Sequence, residues 1–172
     1  MARLHGTRPP LPRSAPRSPA ALAEIAQVLA TRDALWRPVV HFDPDERWYT
    51  RVAGGEGWEA WLLTWTPGQS TALHGHGRSA GAFTVLQGVL TETEAVDAPV
   101  VGHPLRTRQH VLTAGEHRSF TPGYVHDVVN TGIENAVSLH VYGPALTSMI
   151  RYALDGDGRL RETASERVGA DW

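Results

Sequence analysis

Apolar positions change period once along this chain. Leu22, Ile25, Ala26, Val28 and Leu29 recur at three- and four-residue intervals, the spacing that lines one face of a helix. Ser18 followed by Pro19 supplies an N-cap and a first-turn proline, so the spacing predicts one amphipathic helix from residue 19 to about residue 31. From Trp36 onward the apolar runs are short or alternate with polar residues, the period of a strand. Segments 47–52, 59–66, 82–90, 110–112, 118–120, 126–130 and 136–142 read as strands. Gly54-Gly55, Pro67-Gly68, Gly88, Pro122-Gly123 and Thr131-Gly132 punctuate them. Many short strands without helices between them predict an all-β sandwich or barrel. The DGDG run from Asp155 resembles part of a calcium loop but lacks the remaining ligands. It reads as a turn, followed by a final hairpin or a loose tail.

Composition narrows the picture. Residues 1–18 are rich in Pro and Arg and lack apolar periodicity, which predicts a disordered arm; a tether to an anionic surface or a partner is the functional alternative. Residues 19–172 then form a single domain, long enough for a real core. The formal net charge of the 172 residues is −2, so nucleic acid is not the expected partner. Cysteine is absent, which excludes disulfides, thiolate ligands and a cysteine nucleophile. All basic residues are Arg, which excludes Schiff-base chemistry on a lysine. No apolar run approaches membrane-spanning length, and the first residues lack the apolar stretch of a secretory signal. A monomeric cytoplasmic protein acting on small molecules, with neither membrane nor nucleic acid as partner, is expected.

His74 and His76 carry the candidate chemistry. Residues i and i+2 of a strand share a face, so both imidazoles can reach one cation, and imidazole is the commonest ligand for first-row divalent metals. The segment from Gly68 reads G-x5-H-x-H, with Gly81 and Gly88 beyond it. A second block from Gly115 reads G-x6-P-G-x2-H-x3-N and contains His126 and Asn130. These two blocks resemble the paired motifs of the cupin superfamily, which implies a jelly-roll β-barrel with His74, His76 and His126 as metal ligands. Two departures stand out. Pro122 directly precedes Gly123, and Gly81 occupies the position of the motif's acidic ligand. Three neutral imidazoles leave the dipositive charge of the metal uncompensated, which favours an anionic substrate, and a six-coordinate ion would keep open positions. His5, His41, His103, His110 and His117 are expected to be solvated or hydrogen-bonded.

Two further segments sharpen the resemblance. Ser138-Leu139-His140-Val141-Tyr142-Gly143-Pro144 looks like the Ser–His–Tyr strand of cysteine dioxygenases, and Tyr49-Thr50-Arg51 looks like their Tyr-x-Arg substrate clamp. Ser138, His140 and Tyr142 alternate with Val137, Leu139 and Val141. If both faces of that strand are buried, the polar trio must form its own relay, Ser138 orienting His140 and His140 fixing the Tyr142 hydroxyl; a solvated face is the alternative. The resemblance implies that Arg51, with Tyr49, holds the substrate carboxylate, a task suited to the planar guanidinium fork. Animal members carry a cysteine at the position of Gly81, joined by a thioether to the tyrosine matching Tyr142. Without cysteine that link is impossible here, so Tyr142 is an ordinary phenol. The Trp61, Leu63 and Trp65 stripe reads as core. The expected function is an iron(II)-dependent dioxygenase converting L-cysteine and O2 to cysteine sulfinic acid. A dioxygenase for another small thiol such as 3-mercaptopropionate is the nearest alternative; members with that preference typically carry glutamine at the position of Arg51. A non-enzymatic or zinc-binding cupin is the more distant one.

Overall fold

The structure, a computed structural model, describes residues 17–167. Most of the predicted N-terminal arm therefore lies outside the described residues. Helix α1, Pro19–Ala30, begins where the sequence signals it: the Ser18 hydroxyl accepts from the Ala21 amide at 3.2 Å, with Pro19 in the first turn. Its buried stripe is Leu22, Ala23, Ala26 and Leu29. Val28, expected on that stripe, is 52% exposed. The helix is rotated because it lies tightly on the sheet beneath it. A Cβ at Gly143 would meet Leu22 Cδ2 at 2.9 Å, so small residues set the approach. A short helix α2, Asp33–Trp36, and a 3-10 turn, Arg37–Val39, lead to the first strand.

Eleven strands follow: β1 Tyr49–Gly55, β2 Trp58–Trp65, β3 His74–Gly75, β4 Ala80–Gln87, β5 Val89–Ala95, β6 Thr107–Thr113, β7 His117–Phe120, β8 Val125–Val129, β9 Ala136–Gly143, β10 Ser148–Leu154 and β11 Leu160–Arg167. They form a five-stranded sheet in the order β1-β2-β9-β4-β7 and a six-stranded sheet in the order β11-β10-β3-β8-β5-β6. All pairings between these strands are antiparallel. This is the expected all-β jelly roll of the cupin type with one N-terminal helical segment.

The segment predicted as one strand, 82–90, is two. Gly88 takes φ 79°, a left-handed value that glycine tolerates, and the chain there passes from one sheet to the other. Apolar residues on both sides of Gly88 hid that corner. The C-terminal segment is a hairpin: Asp155 Oδ1 accepts from the amides of Asp157 at 3.0 Å and Arg159 at 2.9 Å, and Oδ2 from Arg161 at 3.1 Å. The DGDG run is therefore a turn whose carboxylate is occupied by its own backbone.

Strand β9 is buried along its whole length. Its outward residues Val137, Leu139 and Val141 pack with Leu22, Ala26 and Leu29 of α1. The apolar face that lacked cover in the sequence is thus covered by the helix. Inside the barrel, Leu63, Trp65, Phe83, Val85, Leu90, Leu112, Phe120 and Val128 form a second cluster. The polar face of β9 looks into that interior. Among the described residues, no helix is long and apolar enough to cross a membrane.

Candidate metal centre

His74 on β3 and His126 on β8 are direct cross-strand partners, so their side chains share a face. His76 follows two residues after His74. Candidate ligand nitrogens of the three lie within 4.8 Å of one another, and all three residues are buried. The Nε2 atoms of His74 and His76 are 3.1 Å apart. Two adjacent ligands at right angles around one ion, each about 2.1 Å from it, would be separated by about 3 Å.

The tautomers suit ligation. His74 Nδ1 donates to the Ala72 carbonyl at 2.9 Å, and His126 Nδ1 donates to Glu92 at 2.7 Å. Each bond leaves an Nε2 lone pair free. Ala72 presents its carbonyl from φ 55°, a strained left-handed value for a residue with a Cβ; the Ser70 hydroxyl, accepting from its amide at 2.7 Å, holds it there. His76 Nδ1 is buried and, among the described residues, has no hydrogen-bond partner. That ring is held instead by stacking on Phe120, with centroids 4.9 Å apart. Burial, and then the charge of neighbouring imidazoles, pushes His74 and His76 well below the ordinary histidine value. Buried imidazole nitrogens that face one another with no carboxylate among them fit a first-row divalent cation.

Gly81 explains the missing carboxylate. It pairs with Tyr142 on β9 and with Phe120 on β7. A Cβ here would run into the Phe120 ring and come within 3.1 Å of Tyr142 Cδ1. Phe120 fills the space that an acidic side chain at this position would need.

Behind His126 lies a charged network that sequence reasoning missed. Glu92 is fully buried and, besides His126, accepts from Arg118 Nε at 2.9 Å and from the Tyr124 hydroxyl at 3.1 Å. Glu94 accepts from Arg118 Nη2 at 2.7 Å, the Tyr124 hydroxyl at 2.7 Å and His110 at 2.8 Å. Burial pulls the Glu92 carboxyl up, but the His126 hydrogen bond and the Arg118 charge bring it below the ordinary value. The signal was the alternation in Thr91-Glu92-Thr93-Glu94, which puts both glutamates on one face of β5.

Ser138, His140 and Tyr142 meet in the barrel interior, all buried. Trp65 Nε1 donates to Ser138 Oγ at 2.9 Å, Ser138 Oγ lies 2.8 Å from His140 Nε2, and His140 Nδ1 lies 3.4 Å from the Tyr142 hydroxyl. The indole N–H can only donate, so Ser138 Oγ accepts from Trp65 and keeps its proton and a second lone pair for His140 Nε2. Burial keeps His140 neutral, well below its ordinary value. The tautomer with its proton on Nδ1 would donate to the Tyr142 oxygen and leave the phenol proton for the cavity. Burial also pushes the Tyr142 phenol upward, so it stays protonated.

That cavity has a volume of about 200 Å³, and its wall includes Arg47, Tyr49, His74, His140, Tyr142 and Arg151. Of the three candidate ligands, His74 is the one on this wall. The expected clamp is divided: Tyr49 lines the cavity and Arg51 does not. Arg51 has a side chain 55% exposed, and its Nε is 3.6 Å from Glu59 Oε2. Glu59 is fixed by the Leu146 amide at 2.8 Å, and a register shift in β1 follows Arg51. Trp61, expected in the core, is half-buried and also faces the cavity. Of the histidines set aside, His110 bonds Glu94, His117 lies 3.0 Å from Gln27, and His41 packs edge-on against Trp48.

Comparison with known proteins gives a family and a fold. The family described as cysteine dioxygenase type I matches residues 18–154. A Thermus thermophilus protein of known structure is 20% identical, with a TM-score of 0.53 over 63% of this chain and 93% of its own. A Klebsiella pneumoniae protein with a double-stranded β-helix domain is also 20% identical, with a TM-score of 0.53 over 74% of this chain and 93% of its own. A cupin superfamily protein from Desulfitobacterium hafniense is 12% identical, with a TM-score of 0.50 over 63% and 87%. At these identities the structures share the fold alone.

Proposed function

Because the chain belongs to the cysteine dioxygenase type I family, a group of thiol dioxygenases in the cupin superfamily, we propose that it oxidises L-cysteine to cysteine sulfinic acid with iron(II) held by His74, His76 and His126. The observation that carries this reading is the convergence of two devices on one barrel interior. One is the cluster of three buried imidazoles; the other is the Trp65–Ser138–His140–Tyr142 chain ending beside it. Bound iron would supply thiolate formation near neutral pH and the activation of O2. The balance is simple: both oxygen atoms end on sulfur, which provides all the electrons, so no further reductant is needed.

The protein's share is geometry and proton placement. Glu92 holds His126 as the tautomer with a free Nε2, and the Ala72 carbonyl does the same for His74. Tyr142 keeps its proton on the cavity wall, where it would be available to a substrate oxygen. The cavity is smaller than the roughly 300–1,000 Å³ of sites for drug-sized ligands, which suits a substrate of amino-acid size. Oxygen consumption by iron-loaded protein with L-cysteine, with sulfinate identified by mass spectrometry, tests the reading. Uptake without sulfinate, or no uptake, would end it.

A second reading, oxidation of 3-mercaptopropionate, is favoured by one observation. Arg51, the residue at the position where members preferring 3-mercaptopropionate carry glutamine, lies off the cavity wall. Turnover of the two thiols compared side by side decides between them.

A further inference from the structure

Two guanidinium groups, those of Arg47 and Arg151, line the cavity. Arg151 is already matched. Its Nε and Nη2 donate to the two carboxylate oxygens of Glu166 at 3.0 Å each, and Nη1 donates to the Thr71 carbonyl at 3.0 Å. A fork so engaged has little left for a ligand.

Arg47 differs. It is half-buried, yet among the described residues it makes no hydrogen bond and has no carboxylate within salt-bridge distance. Its guanidinium lies over the Trp65 ring at 5.0 Å and the Tyr49 ring at 5.8 Å. Aromatic faces orient such a group but do not neutralise it. The acidic group whose charge it feels is Asp127, and that carboxylate already accepts from the Ser70 and Thr71 hydroxyls at 3.1 Å each. The charge of Arg47 also reaches His74, His140 and Tyr142. The cavity wall thus carries a guanidinium that, among the described residues, no carboxylate engages directly, beside the polar chain and on the same wall as a metal-ligand candidate.

We propose that Arg47, rather than Arg51, binds the carboxylate of the substrate thiol, so that the site selects small thiols carrying an acid group at the end remote from sulfur. The proposal rests on the thiol dioxygenase reading of this cavity. Arg47 lies two residues before β1, which carries Tyr49 and Arg51 at alternate positions, so a shift of the anchor from Arg51 to Arg47 moves it to the entry of that strand, beside the cavity-lining Tyr49. Trp65 links the two devices: its ring carries Arg47 and its N–H begins the chain to Tyr142. A carboxylate drawn to Arg47 is held against that wall.

The test is calorimetric titration of the iron-loaded protein without oxygen, using L-cysteine, 3-mercaptopropionate and the carboxylate-free thiol cysteamine. Arg47→Gln is expected to weaken binding of the two acids about 10- to 100-fold, the range for losing a charged hydrogen-bonded contact. Cysteamine should change by less than about threefold, since it offers that contact nothing. Arg51→Gln should cost the acids less than Arg47→Gln does. Arg47→Lys keeps charge without the fork and should fall between wild type and Arg47→Gln; it also serves if the glutamine variant folds poorly. Unchanged acid binding in Arg47→Gln, an equal loss for cysteamine, or a larger loss in Arg51→Gln would each overturn the proposal. Wild-type protein that binds the acids but yields no sulfinate would refute the dioxygenase reading and leave the Arg47 assignment standing.

Discussion

Glu92 and His126 meet 2.7 Å apart with both side chains essentially out of water. The contact sets which nitrogen of His126 is free, and Arg118 and Tyr124 hold the carboxylate in turn. Glu92→Gln is expected to lower metal affinity about 10- to 100-fold, the usual cost of losing a carboxylate behind a ligating imidazole. Competition for iron(II) or cobalt(II) against a chelating dye measures it. Affinity equal to wild type would show that the network serves the fold alone.

Gly81 and Phe120 exclude each other's side chains. Gly81→Asp is expected to destabilise the protein by about 1–3 kcal/mol through overpacking. Pairing it with Phe120→Ala should recover part of that loss, and a double-mutant cycle in urea reads the coupling. Purely additive effects would mean that the strand shifts and Phe120 is not the obstacle.

Ser138 serves two partners, Trp65 and His140. Ser138→Ala leaves a buried N–H and a buried ring nitrogen unpaired and is expected to cost about 1–3 kcal/mol. Tyr142→Phe removes only the end of the chain. It should keep most of the stability while turnover falls on the order of a hundredfold. If both variants turn over like wild type, the chain has no part in the chemistry.

His140 carries a pH signature. Its folded value lies well below the ordinary 6.5 because it is buried, so on acidification the unfolded chain takes a proton that the fold refuses. Stability therefore rises with pH across this window and is lost as pH falls below about 6.5, by up to about 1.4 kcal/mol per unit. His140→Gln removes that contribution. Urea unfolding with chelator present, at about pH 7.5 and about pH 5.5, should show wild type losing more stability than the variant. Parallel losses would mean that His140 is protonated in the fold.

The alternation of β9 and the two histidine blocks were legible in the sequence because strand period and ligand spacing are local properties. The helix was legible for the same reason, but its rotation was not. Whether Val28 or Ala23 faces inward depends on how closely Leu22 can approach Gly143, which only the packed sheet decides. Glu92 and Glu94 did not stand out in the sequence, because a carboxylate is rarely buried without partners. Those partners, His110, Arg118 and Tyr124, come from β6, β7 and the residue just before β8. Arg51 shows where local reading stops: it stands at the motif position, yet its side chain lies off the cavity wall. Motif spacing singled it out, while the competition between Glu59 and the cavity for a guanidinium is a three-dimensional matter.

Strand β3 is only two residues long, yet it supplies His74 and leads into His76. Its neighbours β8 and β10 each pair with it at two positions, which makes it the rung most easily opened in the six-stranded sheet. An ion shared by His74, His76 and His126 would lash that rung to β8. Metal uptake would then act as a latch on the barrel wall, and its release would show as faster amide exchange near His74 long before the helix or β9 loosened.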